Sequence, residues 1–369
     1  MKFSRPAALI LAAAVCLGLL GGCGARQAEE SAEEQAAPAV IASEEAASEE
    51  IASEEPVELT PLAYTVDYYR MPAIYEAAYG ENVIEAARAV TQAFLNGETS
   101  AQIPALRRIE IDEVQQLLRV TCPPISALVS MQLPDYTSET YTTVSWTYYR
   151  SAEETAAELQ AFEDEVGRYM AMLYEQDGDA MRAFVLMMEF SSVLTYDDEL
   201  ATDGFGGLTD EEAALRRSPY YAILYRSGVC YSIAEALAFL YGQAGLQAGT
   251  VSNWGEAGAH LWTVAELDGK FYYFDATWAS TDEGPYSSAY FGMSTDDRAN
   301  WAGGYLPEET EFCYNATDEY FIVDDDRFDE IQGLLYTDIA SYTVDHAAQT
   351  VCLTMPYGES YTFDLSAKE

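Results

Sequence analysis

Apolar residues recur at three- and four-residue intervals in several stretches of the chain, which is the spacing of one face of an α-helix. The predicted helices cover about 82–95, a short segment after Asp112 that must end before the prolines at 123–124, a long segment that follows Ser151, about 179–194, and the residues after Cys230. Ser151 and Glu154 have the spacing of a capping box, which predicts where the long helix starts.

Alternating and β-branched segments predict strands at about 140–149, 247–252, 260–267 and 270–277, and a further β-rich segment at about 350–357. Asp268 and Gly269 separate the third and fourth of these strands. This dipeptide between two strand-like runs predicts a two-residue hairpin turn. Closing the turn with Leu267 opposite Lys270 fixes the register of the whole hairpin.

The hairpin register predicts which side chains share a face of the sheet. His260 lies opposite Thr277, and Trp262 lies opposite Asp275. Because side chains alternate between the two faces of a strand, these four residues point to the same side. His260 and Asp275 are diagonal neighbours at about 7–8 Å, which is within reach of a side-chain hydrogen bond. Such a pair is either a base with its orienting carboxylate, or a core histidine beside an aspartate that caps the strand end.

Cys230 stands directly before the apolar positions of the last predicted helix, in GVCYSIAEALAFLYGQAG at 228–245. The unpaired N–H groups and the positive dipole end of a helix N-terminus favour a thiolate, which is the reactive form of cysteine. The same position also suits a small buried side chain. Contact between Cys230 and His260 would separate the two interpretations, but it depends on how the helix packs on the hairpin and does not follow from spacing.

The sequence of residues 1–59 is typical of an export signal followed by a segment that does not fold. Lys2 and Arg5 precede an uncharged run at 7–20, which is typical of a secretion signal and shorter than a membrane span. The run ends in LGGC, which resembles the lipobox of bacterial lipoproteins and implies a signal peptide at 1–22 and a lipidated Cys23. Residues 23–59 are rich in Ala, Ser and Glu and predict an acidic disordered stalk. We therefore expect a protein anchored by lipid to the outer face of the bacterial cytoplasmic membrane.

Charge and cysteine content exclude several classes of function. The chain has 18 Lys and Arg against 62 Asp and Glu, for a net charge of −44. Nucleic-acid binding needs clustered basic residues, so no nucleic-acid partner is expected. The chain has 2 histidines and no Cys-x-x-Cys pair, so no metal and no cofactor is expected. Cys230 is expected to be a free thiol, and the disulfide state of Cys122, Cys313 and Cys352 is left open.

Three short blocks resemble the signature blocks of the transglutaminase-like superfamily and occur in the same order. They are GVC at 228–230, HLW at 260–262 and DATW at 275–278. The resemblance implies an α+β fold with a papain-like core, in which the catalytic helix packs on an antiparallel sheet after an α-rich N-terminal region. It also implies that Cys230 is the nucleophile, that His260 is the general base and then acid, and that Asp275 orients the imidazole.

The oxyanion hole and the substrate groove are less well defined by these blocks. The Cys230 N–H is one expected donor, and Trp254 and Trp262 are candidates for a second donor or for the groove. For Trp254 the favoured alternative is that it only packs the loop before His260. Many relatives have HAWN where this chain has HLWT. A contact made by that asparagine is therefore not carried over to Thr263.

We divide the rest of the chain into a mixed α/β region at 60–150, a transglutaminase-like core at 151–317 and a small β-rich C-terminal region at 318–369. The resemblance implies a thiol enzyme that attacks peptide or carboxamide bonds through a Cys230 thioester, by hydrolysis or by acyl transfer to an amine. The expected substrate is a peptide, a protein or a cell-wall peptide. The alternative is a catalytically inactive module that binds peptides or cell-wall polymers; the presence of all three residues of the triad favours the enzyme.

Overall fold

The computed structural model describes residues 57–132, 141–255, 258–280, 287–305, 311–312, 322–334 and 339–367. The predicted signal peptide, the lipidation site at Cys23, most of the predicted stalk and Cys313 lie outside these residues. Across the described part of the chain, no helix combines the length and the apolar character needed to cross a membrane.

The fold is α+β, as predicted. In chain order, helices α1 to α13 are Ala73–Ala78, Glu81–Leu95, Arg108–Thr121, Pro123–Leu128, Ala152–Met170, Asp179–Val193, Asp198–Asp203, Asp210–Arg216, Pro219–Tyr225, Cys230–Gln243, Ala276–Ala279, Thr295–Asn300 and Asp329–Gln332. The capping box predicted at Ser151 is confirmed, with the Ser151 hydroxyl accepting the Glu154 N–H at 3.3 Å. Helix α3 begins earlier than predicted because Glu110 accepts the N–H of Arg107 at 2.6 Å and completes a cap there.

Strands β1 to β12 are Ser100–Pro104, Val129–Gln132, Tyr141–Tyr148, Thr195–Tyr196, Ser227–Gly228, Gln247–Gly255, Gly258–Leu267, Lys270–Phe274, Glu311–Phe312, Ser341–Asp345, Thr350–Thr354 and Ser360–Asp364. They pair in the orders β1-β3-β2, β4-β5, β8-β7-β6-β9 and β10-β11-β12. The β4–β5 pair is parallel, and the other named strands of the described residues pair antiparallel.

Helix α10, which begins at Cys230, packs against strands β6 and β7 of the four-stranded sheet. It is buried on nearly all sides, and Ile233 and Leu237 are fully covered. The Thr263 hydroxyl of β7 donates to the Ala234 carbonyl of α10 at 2.9 Å. A helix fixed in this way against an antiparallel sheet is the arrangement that the resemblance predicts.

A buried ion pair joins the same helix to the N-terminal region. Glu235 of α10 is fully buried, and its carboxylate accepts Nε of Arg119 at 2.7 Å and Nη2 of Arg119 at 2.5 Å. Two parallel hydrogen bonds between a guanidinium and a carboxylate restrain direction as well as distance. The pair therefore fixes α10 against α3, behind the end that carries Cys230.

The β7–β8 hairpin has the predicted register, with Leu267 paired to Lys270. Asp268 and Gly269 have φ angles of 52° and 83°, as a two-residue turn with two left-handed positions requires. Strand β8 nevertheless ends at Phe274, three residues before the predicted end. Asp275 leaves the ladder because its carboxylate caps α11, so Thr277 is a helical residue and not the ladder partner of His260.

Polar contacts attach the segment before the C-terminal sheet to this hairpin. Asp325 accepts hydrogen bonds from the Lys270 ammonium and, at 2.5 Å, from the Tyr272 hydroxyl. Arg327 donates to Asp268 at 2.6 Å. The described residues of 318–369 include strands β10 to β12 and helix α13. The region boundaries stay predictions, because buried side chains from residues 68 to 365 form one continuous core cluster.

Candidate active site

Cys230 is the first residue of α10, as predicted, and its side chain is partly exposed. The preceding residue, Val229, donates its N–H to the Ser232 hydroxyl at 3.1 Å. Gly228 lies in β5, and its carbonyl accepts the Asp197 N–H at 2.8 Å. The first-turn N–H groups of an α-helix have no partner within the helix, so the Cys230 N–H can serve an anion that forms beside the sulfur.

Position 228, in the GVC block, requires glycine for a steric reason. A Cβ at Gly228 would lie 2.5 Å from Ser232 Oγ and 3.5 Å from the Ala222 side chain. Ser232 Oγ is itself held in place, since it accepts the Val229 N–H at 3.1 Å and donates to the Val229 carbonyl at 3.0 Å. Glycine therefore lets the loop lie against the first turn of α10, which begins at Cys230.

His260 and Asp275 form the contact that the hairpin register predicts, with 2.7 Å between His260 Nε2 and Asp275 Oδ2. Both residues are buried, with exposed fractions of 8% and 1%. The second carboxylate oxygen, Oδ1, accepts the Trp278 N–H at 3.2 Å. Asp275 therefore contacts the imidazole with one carboxylate oxygen and caps a helix with the other.

Cys230 lies beside this pair, because its sulfur is close enough to the imidazole to raise the pKa of His260. Since His260 Nε2 lies on Asp275, Nδ1 is the ring nitrogen left for the thiol. Burial lowers the pKa of His260, but the Asp275 carboxylate and the Cys230 sulfur outweigh burial and raise it to about 9. Burial raises the pKa of Asp275, but His260 and Arg298 lower it to about 2. The raised pKa favours the protonated imidazole at neutral pH.

Arg298 of α12 belongs to this site but was not predicted from the sequence. Its Nη1 donates to Asp275 Oδ2 at 2.9 Å. The guanidinium carbon lies 4.1 Å from the ring centre of Trp262 and 4.7 Å from that of Tyr305. The STDD segment before Arg298 has the pattern of a helix start, which the structure shows as a capping box. No sequence pattern signals the contact with Asp275, which comes from tertiary packing.

Aromatic rings enclose the imidazole. The His260 ring centre lies 5.1 Å from that of Trp278, 5.9 Å from that of Tyr305 and 6.0 Å from that of Trp262, all with nearly parallel planes. Gly303, with φ of 106°, packs on these rings, and a Cβ there would lie 2.1 Å from Tyr305. The enclosure excludes water from one side of the imidazole and so strengthens its interactions with charged neighbours.

One of the two candidate tryptophans, Trp262, is placed differently from the expectation. Trp262 is fully buried behind His260, so it packs against the imidazole and does not line an open groove. The backbone of Trp254 pairs with Ala259 at the end of β6, and its side chain lies outside the described part of the structure. The Thr263 hydroxyl donates to the Ala234 carbonyl of helix α10, so this position ties the strand to the helix.

Thiols and possible metal ligands complete the list of reactive groups. Cys230 is a free thiol, as predicted, and Cys122 and Cys352 are also free. Burial raises the pKa of the Cys122 thiol to about 12, which makes that residue unreactive at neutral pH. In the described ranges, no group of three or more His, Cys, Asp and Glu side chains could hold a metal ion.

Comparison with known proteins gives similar structures but no sequence match. No family model matches the chain, and no curated protein matches it. A transglutaminase structure is similar over 42% of this chain and 45% of its own, with 15% identity and a TM-score of 0.29. A candidate protease from Parabacteroides distasonis ATCC 8503 is similar over 39% of this chain and 30% of its own, with 14% identity and a TM-score of 0.24.

A candidate cysteine protease from Cytophaga hutchinsonii is similar over 52% of this chain and 68% of its own, with 11% identity and a TM-score of 0.27. Because all three TM-scores are low, the roles of Cys230, His260 and Asp275 rest on the contacts within this chain.

Proposed function

We propose that the protein is a thiol-dependent enzyme that attacks peptide or carboxamide bonds and forms a thioester on Cys230. The proposal is carried by the His260–Asp275 hydrogen bond together with the Cys230 sulfur, which is close enough to the imidazole to raise the pKa of His260. A nucleophile, a base and an orienting group in hydrogen-bond contact are the parts that acyl transfer requires. The cysteine stands at a helix start and is partly exposed, whereas the other two residues are buried behind it.

The first half of the reaction uses His260 as an acid. The Cys230 sulfur attacks the carbonyl carbon, and the carbonyl oxygen takes up negative charge beside the Cys230 N–H. The C–N bond then breaks, and the imidazolium gives its proton to the departing amine or ammonia. Asp275 holds the ring so that Nδ1 faces the reacting groups during this transfer.

The second half uses the same imidazole as a base. Water or a primary amine attacks the thioester and gives its proton to His260. The C–S bond breaks and the sulfur leaves as a thiolate beside the newly protonated ring, which restores the starting state. Water as acceptor makes the protein a hydrolase, and an amine makes it a cross-linking enzyme.

The location we propose follows from the sequence at the N-terminus. The lipobox-like LGGC would place a lipid anchor on Cys23, followed by an extended acidic stalk that holds the folded part away from the outer face of the cytoplasmic membrane. Peptides, proteins and cell-wall peptides are the substrates available to an enzyme held there. Palmitate labelling of wild-type and Cys23→Ser protein in a bacterial host tests the anchor directly.

The catalytic proposal is tested with full-length protein and a library of glutamine-containing peptides. Ammonia release, new peptide N-termini and incorporation of a fluorescent primary amine are measured in the same samples. We expect at least one of these products from the wild type and from Cys352→Ala, and none from Cys230→Ala. If no product forms and Cys230 reacts no faster than Cys352 with iodoacetamide, the protein is instead a binding module on this fold.

A further inference from the structure

Arg298 is a buried cation in the wall of the candidate site. It is 1% exposed, and its Nη1 donates to the Oδ2 atom of Asp275 at 2.9 Å. Burial lowers the pKa of Arg298, but a guanidinium starts so high that it keeps its charge. An isolated charge in such a place is very unfavourable, so this arginine depends on the carboxylate that it contacts.

The remaining surface of the guanidinium is covered by aromatic rings. Nε and Nη2 of Arg298 have no hydrogen-bond partner in the described residues. Instead, the guanidinium carbon lies 4.1 Å from the centre of Trp262, 4.7 Å from that of Tyr305 and 4.9 Å from that of Trp278. These rings also surround His260, so the same aromatic cage holds both cationic groups.

Arg298 and His260 meet at one atom. Asp275 Oδ2 lies 2.7 Å from His260 Nε2 and 2.9 Å from Arg298 Nη1. The arginine thus restrains the carboxylate that orients the imidazole, and it balances the carboxylate's charge. The titratable and charged groups that face His260 or Arg298 are Cys230, Asp275, Tyr273, Tyr290 and Tyr305.

The charge balance has a chemical consequence. An unbalanced carboxylate would hold the proton on His260 too strongly for the imidazole to act as a base in the second half-reaction. A cation on the same oxygen weakens that attraction while leaving the hydrogen bond in place. Arg298 is 1% exposed, so it would exert this effect through Asp275 and not by contact with a substrate.

We propose that Arg298 is a positioning residue, which fixes the Asp275 carboxylate and limits its pull on the His260 proton so that the imidazole can exchange protons during turnover. This role rests on the proposed function, but its physical part does not require a substrate. If Arg298 only held the fold together, removing its charge would leave the pKa of His260 unchanged.

The test is a titration of His260 by NMR in full-length protein labelled with isotopic histidine. The chain has 2 histidines, so His346 provides an internal reference in every spectrum. The parent protein carries Cys230→Ala, which removes the sulfur that raises the pKa of His260. Arg298→Met and Arg298→Gln remove the charge, and Arg298→Lys keeps it. The matched control is Arg327→Met, which removes another arginine–aspartate pair, at the far end of the same hairpin.

We expect Arg298→Met and Arg298→Gln to raise the midpoint of His260 by about one pH unit, with Arg298→Lys within about 0.3 of the parent and Arg327→Met unchanged. Thermal unfolding identifies which variants are folded. One folded variant of Arg298→Met and Arg298→Gln is enough to decide the test. An unchanged midpoint in a folded Met or Gln variant, or an equal shift in Arg298→Lys or Arg327→Met, would overturn the proposal. Failure of the proposed function would appear separately, as a wild type that yields no acyl product although these shifts occur.

Discussion

His260 and His346 each share a hydrogen bond with a buried aspartate, at 2.7 Å from Asp275 and at 2.8 Å from Asp177. Their surroundings differ. His260 is enclosed by aromatic rings and shares its carboxylate oxygen with Arg298. His346 lies in the turn between β10 and β11, with its ring centre 4.6 Å from that of Tyr174. The carboxylate of Asp177 also accepts the Tyr174 N–H at 2.8 Å, so this second pair ties the C-terminal sheet to the loop between α5 and α6.

The comparison shows that a short histidine–aspartate hydrogen bond does not define a catalytic site. The nearby Cys352 lies in β11, where Thr343 and Thr362 are its ladder partners, and not at a helix start. Cys230 lies at a helix N-terminus, is partly exposed and is close enough to His260 to raise the pKa of that imidazole. The position of the cysteine, and not the His–Asp bond, therefore separates the candidate site from the structural tie.

The largest expected effect on activity comes from substituting Cys230, and Cys352 provides the comparison. Cys230→Ala removes the nucleophile and should reduce amide-bond cleavage or amine transfer by about 10³-fold or more. Cys352→Ala should leave activity within about twofold, because surface substitutions away from a site are close to neutral. Product formation is measured for both variants at equal concentration. Similar rates for the two variants would remove Cys230 from the mechanism.

The two histidines give the next largest contrast. His260→Ala should slow the reaction by about 10²–10⁴-fold, the usual contribution of a general acid–base group. His346→Ala should leave the rate constant unchanged and should weaken the attachment of the C-terminal sheet. Steady-state kinetics and thermal unfolding separate the two effects. A loss of activity in folded His346→Ala would show that the second pair does more than hold the fold.

The sequence predicts only part of what distinguishes the His260–Asp275 pair from the His346–Asp177 pair. The Asp268-Gly269 turn predicted the register that brings His260 to Asp275, because hairpin pairing is local and has a period of two. Contact between Cys230 and His260 depends on how α10 packs on the sheet. Arg298 and the buried position of Trp262 depend on packing between segments far apart in the chain. Such contacts leave no periodic signal, and the resemblance of the three blocks did not include them.

Substitution of Asp275 should lower the reaction rate, whereas substitution of Asp177 should lower stability. Asp275→Asn should lower the rate by roughly 10²-fold, because the amide no longer fixes the charge and tautomer of His260. Asp177→Asn should instead lower the free energy of unfolding by about 1–3 kcal/mol, since it disturbs a buried group with several hydrogen bonds. Kinetics and urea unfolding are measured on both variants. Equal loss of activity in the two would contradict the division of roles.

The smallest effect is a pH dependence of stability. The pKa of His260 is raised from 6.5 to about 9, so its contribution to stability is fully present below pH 6.5 and is lost as the pH rises through about 9. The pKa of Asp275 is lowered from 3.8 to about 2, so its contribution is present above pH 3.8 and is lost as the pH falls through about 2. Urea unfolding of wild type and His260→Gln at pH 6 and pH 9.5 should show a difference of about 1–3 kcal/mol that shrinks at the higher pH.

The most direct test of the central claim is the rate at which iodoacetamide alkylates each cysteine between pH 5 and pH 10, read peptide by peptide by mass spectrometry. If Cys230 and His260 form a working pair, Cys230 should react at pH 6 at least about tenfold faster than Cys352. This advantage should disappear in His260→Ala and persist in His346→Ala. A Cys230 that reacts at the same rate as Cys352, unchanged by either substitution, would contradict the account.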